Sequence, residues 1–314
     1  MQYIYGTKDI EQNEGCVVVL GNFDGVHRGH QKLFEMAREK AKQQGLKTVV
    51  FSFYPHPTRV IGKKPKPLIM SRKDKKETIK DLGMDILIEY PFTKEFAAIS
   101  PQDFFENILL KELKVKVLVV GSNYFFGKGK KGNAAYLKEY GQKCQVEVCI
   151  VEAVRQDDKT ISSSRIRELI EKGHIEEANQ LLGHPYLMIG QVIHGRQLGR
   201  TIGFPTINLI ADPDRVYPPN GVYATQVQVY NTWYRGITNI GYNPTVNGKS
   251  KRIETHIFDI SKDLYGEEVK IAFYKHIRSE KKFPSFEDLG KQITKDKEEV
   301  CTYFNERSIC LQNK

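Results

Sequence analysis

The sequence predicts an α/β protein of two domains, an N-terminal doubly wound domain around a parallel sheet and a C-terminal antiparallel β-barrel with a terminal helix. Its 314 residues are enough for two domains that each bury their own core. In the first half, short β-branched runs alternate with amphipathic stretches, which is typical of βαβ units. After Gly183, strand-like runs succeed one another without a helix long enough for a crossover. We therefore expect domains at residues 1–183 and 184–314.

The N-terminal elements are predicted from apolar runs and the helical stretches between them. The strand candidates are CVVVL (16–20), TVVFSF (48–53), DILIEY (85–90), VLVVG (117–121) and VEVCIV (146–151). The helix candidates are residues 30–45, 71–83, 100–113 and 133–141, whose apolar positions recur at three and four. Gly45 and Gly83 follow helix ends, and Ser100 with Pro101 begins a helix. The result is a mostly parallel sheet.

The C-terminal elements are predicted from strand runs separated by turn residues. They are MIGQVIHG (188–195), TINLI (206–210), GVYATQVQVY (221–230), TWYRGITNI (232–240), RIETHIFDI (252–260) and EEVKIAFYKHIR (267–278), with a helix over 285–304. Six such strands and one helix favour a small barrel.

Composition narrows the classes of partner. The formal net charge of +10 favours anionic partners such as nucleotides, phosphates or nucleic acid. Five cysteines without a CxxC pair indicate reduced thiols, and no apolar run approaches the ~18 residues of a membrane span. We expect a cytoplasmic protein without a membrane partner. The lysine clusters KDKK (73–76) and KKPKP (63–67) are interpreted as solvated segments.

Three loops of unusual composition follow predicted parallel strands. They are GNFDGVHRGH (21–30), FYPHP (53–57) and GSNYFFGKGKKG (121–132). Because ligands bind beyond the carboxyl ends of the strands in such sheets, the three loops are expected to share one rim.

The first of these loops has the residues of a polyphosphate site. Gly21 lets the backbone turn tightly, and Gly29 leaves room for a base or ribose. His27 and His30 share a face at a helix start, where backbone N–H groups and the helix dipole favour an anion. A metal site is a weaker alternative, because the nearest other candidate ligand is Asp24 and there is no HExxH motif.

HRGH resembles the HxGH signature of the nucleotidyltransferase superfamily, which has a Rossmann-like fold and transfers AMP or CMP from a nucleoside triphosphate. The run ISSSRIRELIEKG (161–173) resembles the serine-rich, arginine-bearing motif of the same superfamily. The resemblance assigns to phosphate binding the residues Ser162, Ser163, Ser164, Arg165 and Arg167. Taken alone, this run slightly favours an ordinary helix cap followed by solvated arginines, but together with HRGH it favours phosphate binding.

The match narrows to the bacterial bifunctional riboflavin kinase/FMN adenylyltransferases, also called FAD synthetases, because all three loops and SSSRIR occur in that family's order and spacing. The resemblance implies FMN contacts by His56, Asn123 and Phe126. It adds to the ATP site Gly21, Asn22, Phe23, Asp24 and Gly29. The family often has arginine where this chain has Phe125, so its contacts to the flavin phosphate are expected to differ.

The C-terminal half carries GRTIGFPTINL (199–209), which resembles the riboflavin kinase signature ending in PTxN. Thr206 and Asn208 alternate onto one face of a strand, where a hydroxyl and an amide oxygen suit Mg²⁺ and ATP phosphates. Gly203 and Pro205 shape the approach to the ATP phosphates. The family commonly has alanine where this chain has Ile207, which is expected to face the opposite side and pack.

The blocks NIGYNPTV (239–246) and RIETHIFDISKDLYG (252–266) match the family's next two motifs. The resemblance implies that Glu254 is the base that deprotonates the ribityl hydroxyl, and that Asn239 and Arg278 bind flavin. The bland alternative for Glu254 is a cross-strand ion pair with a lysine.

These motifs predict an enzyme that phosphorylates riboflavin to FMN and adenylylates FMN to FAD. It would use ATP and Mg²⁺ for both reactions, release ADP and pyrophosphate, and act as a monomer or weak oligomer.

Two alternatives stay open. A transferase acting on another phosphate ester fits HRGH and SSSRIR but not PTIN. A basic nucleic-acid binder fits the charge, although no nucleic-acid motif supports it.

Overall fold

The structure is a computed structural model that describes residues 1–10, 14–62, 64–195, 199, 203–245 and 248–307, without the side chains of 243–245 and 248–250. It divides into two compact units. The first unit comprises Met1–Pro67 and Lys75–Ser163, and the second comprises Leu68–Asp74 and the chain from Ser164 onward. The expected domain boundary between residues 183 and 184 stays a prediction.

The first unit is built on a parallel sheet, as the alternating pattern predicts. Its strands are β1 (Gln2–Tyr5), β2 (Cys16–Leu20), β3 (Lys47–Tyr54), β4 (Ile86–Pro91), β5 (Val115–Gly121), β6 (Phe125–Phe126), β7 (Gly132–Asn133), β8 (Glu147–Val151), β9 (Arg155–Gln156) and β10 (Lys159–Thr160). The six-stranded sheet has the order β1-β4-β3-β2-β5-β8, and all its pairs are parallel. The four-residue edge strand β1 was not predicted.

The helices of this part begin and end near the predicted positions. They are α1 (Arg28–Gln44), α2 (Pro57–Ile61), α3 (Arg72–Asp81), α4 (Lys94–Ala97), α5 (Pro101–Asp103), a π-helix (Phe104–Glu112) and α6 (Ala134–Lys143). Gly45 ends α1 in the left-handed conformation, and the Ser100 side chain caps α5, as their residue types predict. The π-helix was not predicted.

The second unit is a closed antiparallel barrel, which confirms the predicted fold class. Its strands are β11 (Tyr186–Ile193), β12 (Ile207–Ile210), β13 (Gly221–Val229), β14 (Thr232–Thr245), β15 (Gly248–Ile257) and β16 (Glu268–Ser279), in the closed order β11-β12-β15-β14-β13-β16. Its helices are α7 (Ser163–Glu171), α8 (Ile175–Leu182) and α9 (Phe286–Glu306).

Helix α9 covers one side of the barrel. Val300 and Phe304 of the helix belong to one buried cluster with Val222 and Ala224 of β13. The side chains of β13 alternate, so this face is distinct from the barrel interior, where Tyr223 is fully buried. Among the described helices, none has the length and apolar character needed to cross a membrane.

The lysine cluster KDKK is only partly solvated. It lies in the first turns of α3, where Lys73 is exposed but Asp74 is fully buried and Lys75 is only 9% exposed. The interpretation as a solvated segment was wrong for Asp74 and Lys75, because the partners that compensate their charges lie outside the cluster.

The segment Leu68–Asp74 is an integral part of the second unit. The backbone of Leu68 donates to Asp214 O at 2.7 Å and accepts from Val216 N at 2.9 Å. Asp74 forms an ion pair with Arg215, and both side chains are buried. A stretch that interrupts the first unit in sequence therefore completes the second in structure.

Candidate active sites

The three loops of the first unit lie at one edge of the sheet. They follow β2, β3 and β5, whose pairings are all parallel, so their carboxyl ends point the same way. From β2 the chain proceeds to β3 and β4 on one side and then to β5 and β8 on the other. This reversal places a crevice between the loops after β2 and β5, the usual ligand position in such sheets.

The turn after β2 has an unusual backbone. Phe23 and Val26 have positive φ values of 53° and 41°, which β-branched and bulky residues rarely adopt. The Phe23 side chain is fully buried, and a Cβ at Gly21 would lie 2.7 Å from its ring. Gly21 therefore serves close packing inside the turn as well as any ligand.

The two histidines lie together, as their spacing indicates. His27 immediately precedes α1, and its ring stacks on that of His30 with centroids 3.6 Å apart. The His30 ring also meets Phe23 edge-on at 5.2 Å. A Cβ at Gly29 would lie 3.2 Å from the His27 ring, so this glycine allows the histidine its position.

Burial, together with the charge that His27 would carry, lowers the pKa of His30 well below 6.5. His30 is therefore neutral at neutral pH. Its Nδ1 atom is buried and has no hydrogen-bond partner among the residues that the structure describes. Because a buried polar atom without a partner is costly, this atom is suited to a polar ligand.

The serine-rich run reaches the same turn. Ser163 donates a hydrogen bond from its hydroxyl to the carbonyl of Asp24 at 2.8 Å. Ser162 precedes it in the first unit, whereas Ser164, Arg165 and Arg167 continue along α7 in the second unit. The phosphate contacts of these residues stay predictions.

The flavin-binding candidates of this unit differ in exposure. The Nδ1 atom of His56 accepts a hydrogen bond from Thr58 N at 3.3 Å at the start of α2. Asn123 is exposed after β5. Phe126 is buried beside Phe104, whereas Phe125 is 55% exposed. The role of Phe126 in FMN binding stays a prediction.

In the second unit, the barrel aligns a row of functional candidates. The row runs across five neighbouring strands through Asn208, Glu254, Asn239, Val222 and Arg278, each the direct cross-strand partner of the next. Direct partners in antiparallel strands share a face, so these side chains lie side by side. Four of the five were singled out from the sequence.

All residues of this row except Asn208 line a cavity of about 330 Å³. Its lining includes Thr206, Asn239, Glu254 and Arg278 from the predicted set, and Phe286, Leu289, Ile293 and Asp296 from α9. Apolar walls with a few convergent polar groups are typical of a small-molecule site.

Glu254 has amides on both neighbouring strands, because its direct partners are Asn208 and Asn239. The cation beside it is Arg252, two residues earlier, whose Nε atom lies 3.6 Å from Glu254 Oε2. Among the described residues, the ion-pair partner of Glu254 is thus an arginine of the same strand rather than a lysine of a neighbouring strand. The Glu254 side chain lines the cavity.

Arg278 is already paired within the protein. It donates to the buried carboxylate of Asp296 from Nε at 2.9 Å and from Nη2 at 2.7 Å. Gln292 donates to the same carboxylate at 2.8 Å. Sequence reasoning missed Asp296; the signal was an acid between Ile293 and Val300 on the apolar face of α9.

Thr206 and Asn208 are suited to hold Mg²⁺. Asn208 is 9% exposed, and a Cβ at Gly195 would lie 2.2 Å from its amide nitrogen, so little space is left for the amide to move. Hydroxyl, amide and the neighbouring Glu254 carboxylate are the oxygen donors that Mg²⁺ prefers. The described residues contain no group of three or more His, Cys, Asp or Glu with metal-binding geometry.

The other candidates of the PTIN run shape the approach. Gly203 has φ of 81°, and His256 Nδ1 lies 2.8 Å from the carbonyl of Pro205, which ties β15 to the residues before β12. Residues 200–202 of this run lie outside the described residues.

Comparison with known proteins shows the family. The FAD synthetase model matches residues 9–165, and the riboflavin kinase model matches residues 182–304. The bifunctional riboflavin kinase/FMN adenylyltransferase of Bacillus subtilis (strain 168) is 41% identical over 300 residues, 94% of each chain. The chain belongs to the bifunctional riboflavin kinase/FMN adenylyltransferase family.

Other relatives bearing the same family name agree. That of Listeria monocytogenes is 40% identical and covers 92% of each chain, and that of Escherichia coli (strain K12) is 35% identical over 94% of this chain and 96% of its own. A crystal structure of a Streptococcus pneumoniae protein named macrolide-efflux protein has a TM-score of 0.85 at 36% identity, covering 95% of this chain and 98% of that one. This likeness supports the fold of the present chain.

Proposed function

We propose that the chain makes FAD from riboflavin in two ATP-dependent steps. Family membership makes it a riboflavin kinase and FMN adenylyltransferase that uses ATP. The barrel half, from about residue 184, phosphorylates riboflavin to FMN with release of ADP. The N-terminal half adenylylates FMN to FAD with release of pyrophosphate. The observation that carries the proposal is the aligned row from Asn208 to Arg278 at the barrel cavity.

In the kinase step, Glu254 accepts the proton of the terminal ribityl hydroxyl as that oxygen bonds to the γ-phosphorus of ATP and the bond to ADP breaks. Thr206 and Asn208 would hold Mg²⁺, which when bound neutralises phosphate charge. Asn239 orients riboflavin from the next strand. Arg278 borders the flavin, with its charge compensated by Asp296.

In the adenylyl step, an oxygen of the FMN phosphate bonds to the α-phosphorus of ATP while the bond to pyrophosphate breaks. His27, His30 and the backbone N–H groups at the start of α1 hold the polyphosphate. The histidines offset developing charge and form no covalent intermediate. Ser162 to Arg167 supply further phosphate donors, and His56 and Asn123 border the flavin together with Phe125 or Phe126.

The direct test of this function is turnover. Purified protein incubated with riboflavin, ATP and Mg²⁺ should form FMN and then FAD, separated by chromatography. FMN formation without FAD, or neither product, would contradict the bifunctional assignment. Omitting Mg²⁺ should abolish both products.

Glu254→Gln separates the two activities. The substitution keeps size and hydrogen bonding but removes the base, so riboflavin phosphorylation should fall by ~10²–10⁴-fold. FAD formation from supplied FMN should continue at the parent rate. The riboflavin kinase activity of Thr206→Ala should instead recover in part when the Mg²⁺ and ATP concentrations are raised. Glu254→Gln should show no such recovery. If Glu254→Gln phosphorylates riboflavin at a rate within about threefold of the parent, the role of Glu254 as the base is contradicted.

We also propose that the protein works in the cytoplasm as a monomer or weak oligomer, on small-molecule substrates and without a nucleic-acid or membrane partner. Sedimentation at micromolar concentration tests the first point. Nucleic-acid binding with a steep salt dependence would contradict the second.

A further inference from the structure

The turn that carries the adenylyl-site residues is held through its backbone carbonyls. Asn22 O accepts a hydrogen bond from the Ser52 hydroxyl at 3.2 Å, and Asp24 O accepts one from Ser163 at 2.8 Å. The turn is strained at Phe23 and Val26, so its shape depends on such contacts from the surrounding structure.

The hydroxyl of Ser52 has a fixed direction. Ser52 is fully buried in β3 and accepts a hydrogen bond from Lys75 Nζ at 3.2 Å. An ammonium group only donates, so the single hydroxyl proton of Ser52 is left for the Asn22 carbonyl. Lys75 thus orients the contact without touching the turn.

The charge of Lys75 is compensated by a buried carboxylate of the sheet. Lys75 forms an ion pair with Glu89, which is 1% exposed and is the direct neighbour of Ser52 across β3 and β4. Tyr3 donates to the same carboxylate at 2.5 Å. The network therefore runs from β1 through β4 and β3 to the turn.

Stability alone does not require this network. Three of the four neighbouring positions along β3 and β4, those of Phe51, Ile88 and Tyr90, carry large hydrophobic side chains that are fully or almost fully buried, as side chains of parallel strands usually are. A buried ion pair is commonly no more stabilising than apolar residues of the same volume. The polar side chains of Ser52 and Glu89 are thus better explained by the hydrogen bond to the Asn22 carbonyl, at which the network ends.

We infer that Ser52 and Lys75 are positioning residues of the adenylyl-transfer site. Lys75 sets the direction of the Ser52 hydroxyl, and the hydroxyl holds the turn so that it presents its N–H groups and His27 to the triphosphate of ATP. The inference rests on the proposed FMN adenylyltransferase function.

The test measures both activities in the full-length protein. Ser52→Ala should lower kcat/KM for FAD formation about tenfold or more, as expected for a small displacement of a binding turn. Riboflavin phosphorylation should be unchanged. Ser52→Thr, which keeps the hydroxyl, should recover most of the loss. Because Lys75 acts through Ser52, Ser52→Ala with Lys75→Met should be no worse than the poorer single variant.

Two further variants separate positioning from folding. Lys75→Met alone leaves Glu89 buried without its cation. The double variant Lys75→Met with Glu89→Gln removes both charges, and in FAD formation it should show a raised KM for ATP, as Ser52→Ala should. Lys80→Met removes an exposed lysine of the same helix and should match the parent.

The outcomes are distinct. A parent protein that forms no FAD would overturn the proposed function and this inference with it. A parent that forms FAD, with Ser52→Ala within about twofold of it at unchanged KM, would overturn the inference alone. Multiplicative losses in the double variant, or a Ser52→Thr as poor as Ser52→Ala, would also overturn it.

Discussion

His30 combines three properties that rarely coincide in a histidine without function. It is half-buried, it stacks on a second imidazole at 3.6 Å, and its Nδ1 atom is buried without a hydrogen-bond partner among the described residues. A histidine that only filled a core would be expected to satisfy both nitrogens. These features suit a side chain that completes its hydrogen bonds with a phosphate.

Removing this side chain should affect one reaction only. We expect His30→Ala to lower FAD synthesis by about ten- to a thousandfold, as for loss of a transition-state charge partner. FMN formation from riboflavin should continue, since Glu254 and its row lie in the barrel. His174→Ala, an exposed histidine, is the matched control. Equal loss of both activities with intact folding would contradict separate sites.

The same histidine should make stability depend on pH. Its pKa is lowered in the folded protein by burial and by His27, so below about 6.5 the unfolded chain binds a proton that the folded chain does not. The free energy of unfolding should therefore fall as pH decreases from 6.5. In urea unfolding between about pH 5 and 7, the free energy of unfolding of His30→Gln should depend less steeply on pH than that of the parent.

At the scale of elements, the barrel strands set the kinase geometry through register. A shift of β12 by one residue would turn Asn208 away from Glu254 and bring Ile207 to its place. The side chain of Asn208 is further fixed by the backbone of Gly195, which leaves no room for a methyl group.

Gly195→Ala should therefore impair the kinase. The added Cβ would lie 2.2 Å from Asn208 Nδ2 and must turn the amide, so phosphorylation of riboflavin should fall about ten- to a hundredfold, with a raised Mg²⁺ requirement. Gly290→Ala is the control, because its methyl meets only Phe204, at 3.9 Å. An unchanged Mg²⁺ dependence in Gly195→Ala would argue against Asn208 as a ligand.

Strong local patterns explain what the sequence could predict. Apart from the edge strand β1, the main-sheet and barrel strands are β-branched runs with clear turn residues, and the longer helices carry recognisable caps, so their positions were found within a few residues. A helix was predicted over 100–113, but the π-helical form of Phe104–Glu112 was not, because its hydrogen bonds, such as Leu113 N to Ile108 O, follow from packing rather than residue type.

The site residues also divide into those that local sequence patterns identify and those that depend on contacts with other elements. Those within motifs, such as Thr206 and Glu254, were identified from sequence, and the structure places both at the cavity. Lys75 and Asp296 were missed because a buried charge depends on partners in other secondary-structure elements, here Glu89 and Arg278. Ser52 was visible as a polar residue inside VVFSF, but its direction required the position of Lys75.

At the scale of the whole molecule, the two halves are not consecutive in sequence. Asp74 lies within the stretch that the FAD synthetase model matches, yet its carboxylate compensates Arg215 in the barrel unit. Arg215 also donates to Tyr186 at 2.8 Å, so the pair is part of a larger buried network.

Asp74→Asn should destabilise the kinase unit. Removing one partner of a buried pair typically costs about 3–5 kcal/mol, because the other charge stays buried. We expect riboflavin kinase activity to be lost at a lower temperature, measured by residual activity after heating. Asp81→Asn, exposed at the end of the same helix, is the control. Asp74→Asn with Arg215→Met should recover part of the loss; equal heat stability of Asp74→Asn and the parent would contradict the assigned pair.

The interrupted arrangement also constrains synthesis on the ribosome. Asp74 and Arg215 are 141 residues apart, so at ~5–20 residues per second the segment waits for roughly 7–28 seconds before its partner exists. During that interval Ile69 and Met70, buried in the finished protein, have no barrel to enter. A ribosome-bound chain arrested at Gly190 should be cut by protease near Met70, and the released full-length chain should resist. The nascent N-terminal half is thus expected to expose an apolar segment that chaperones can bind until translation has passed the first third of the barrel.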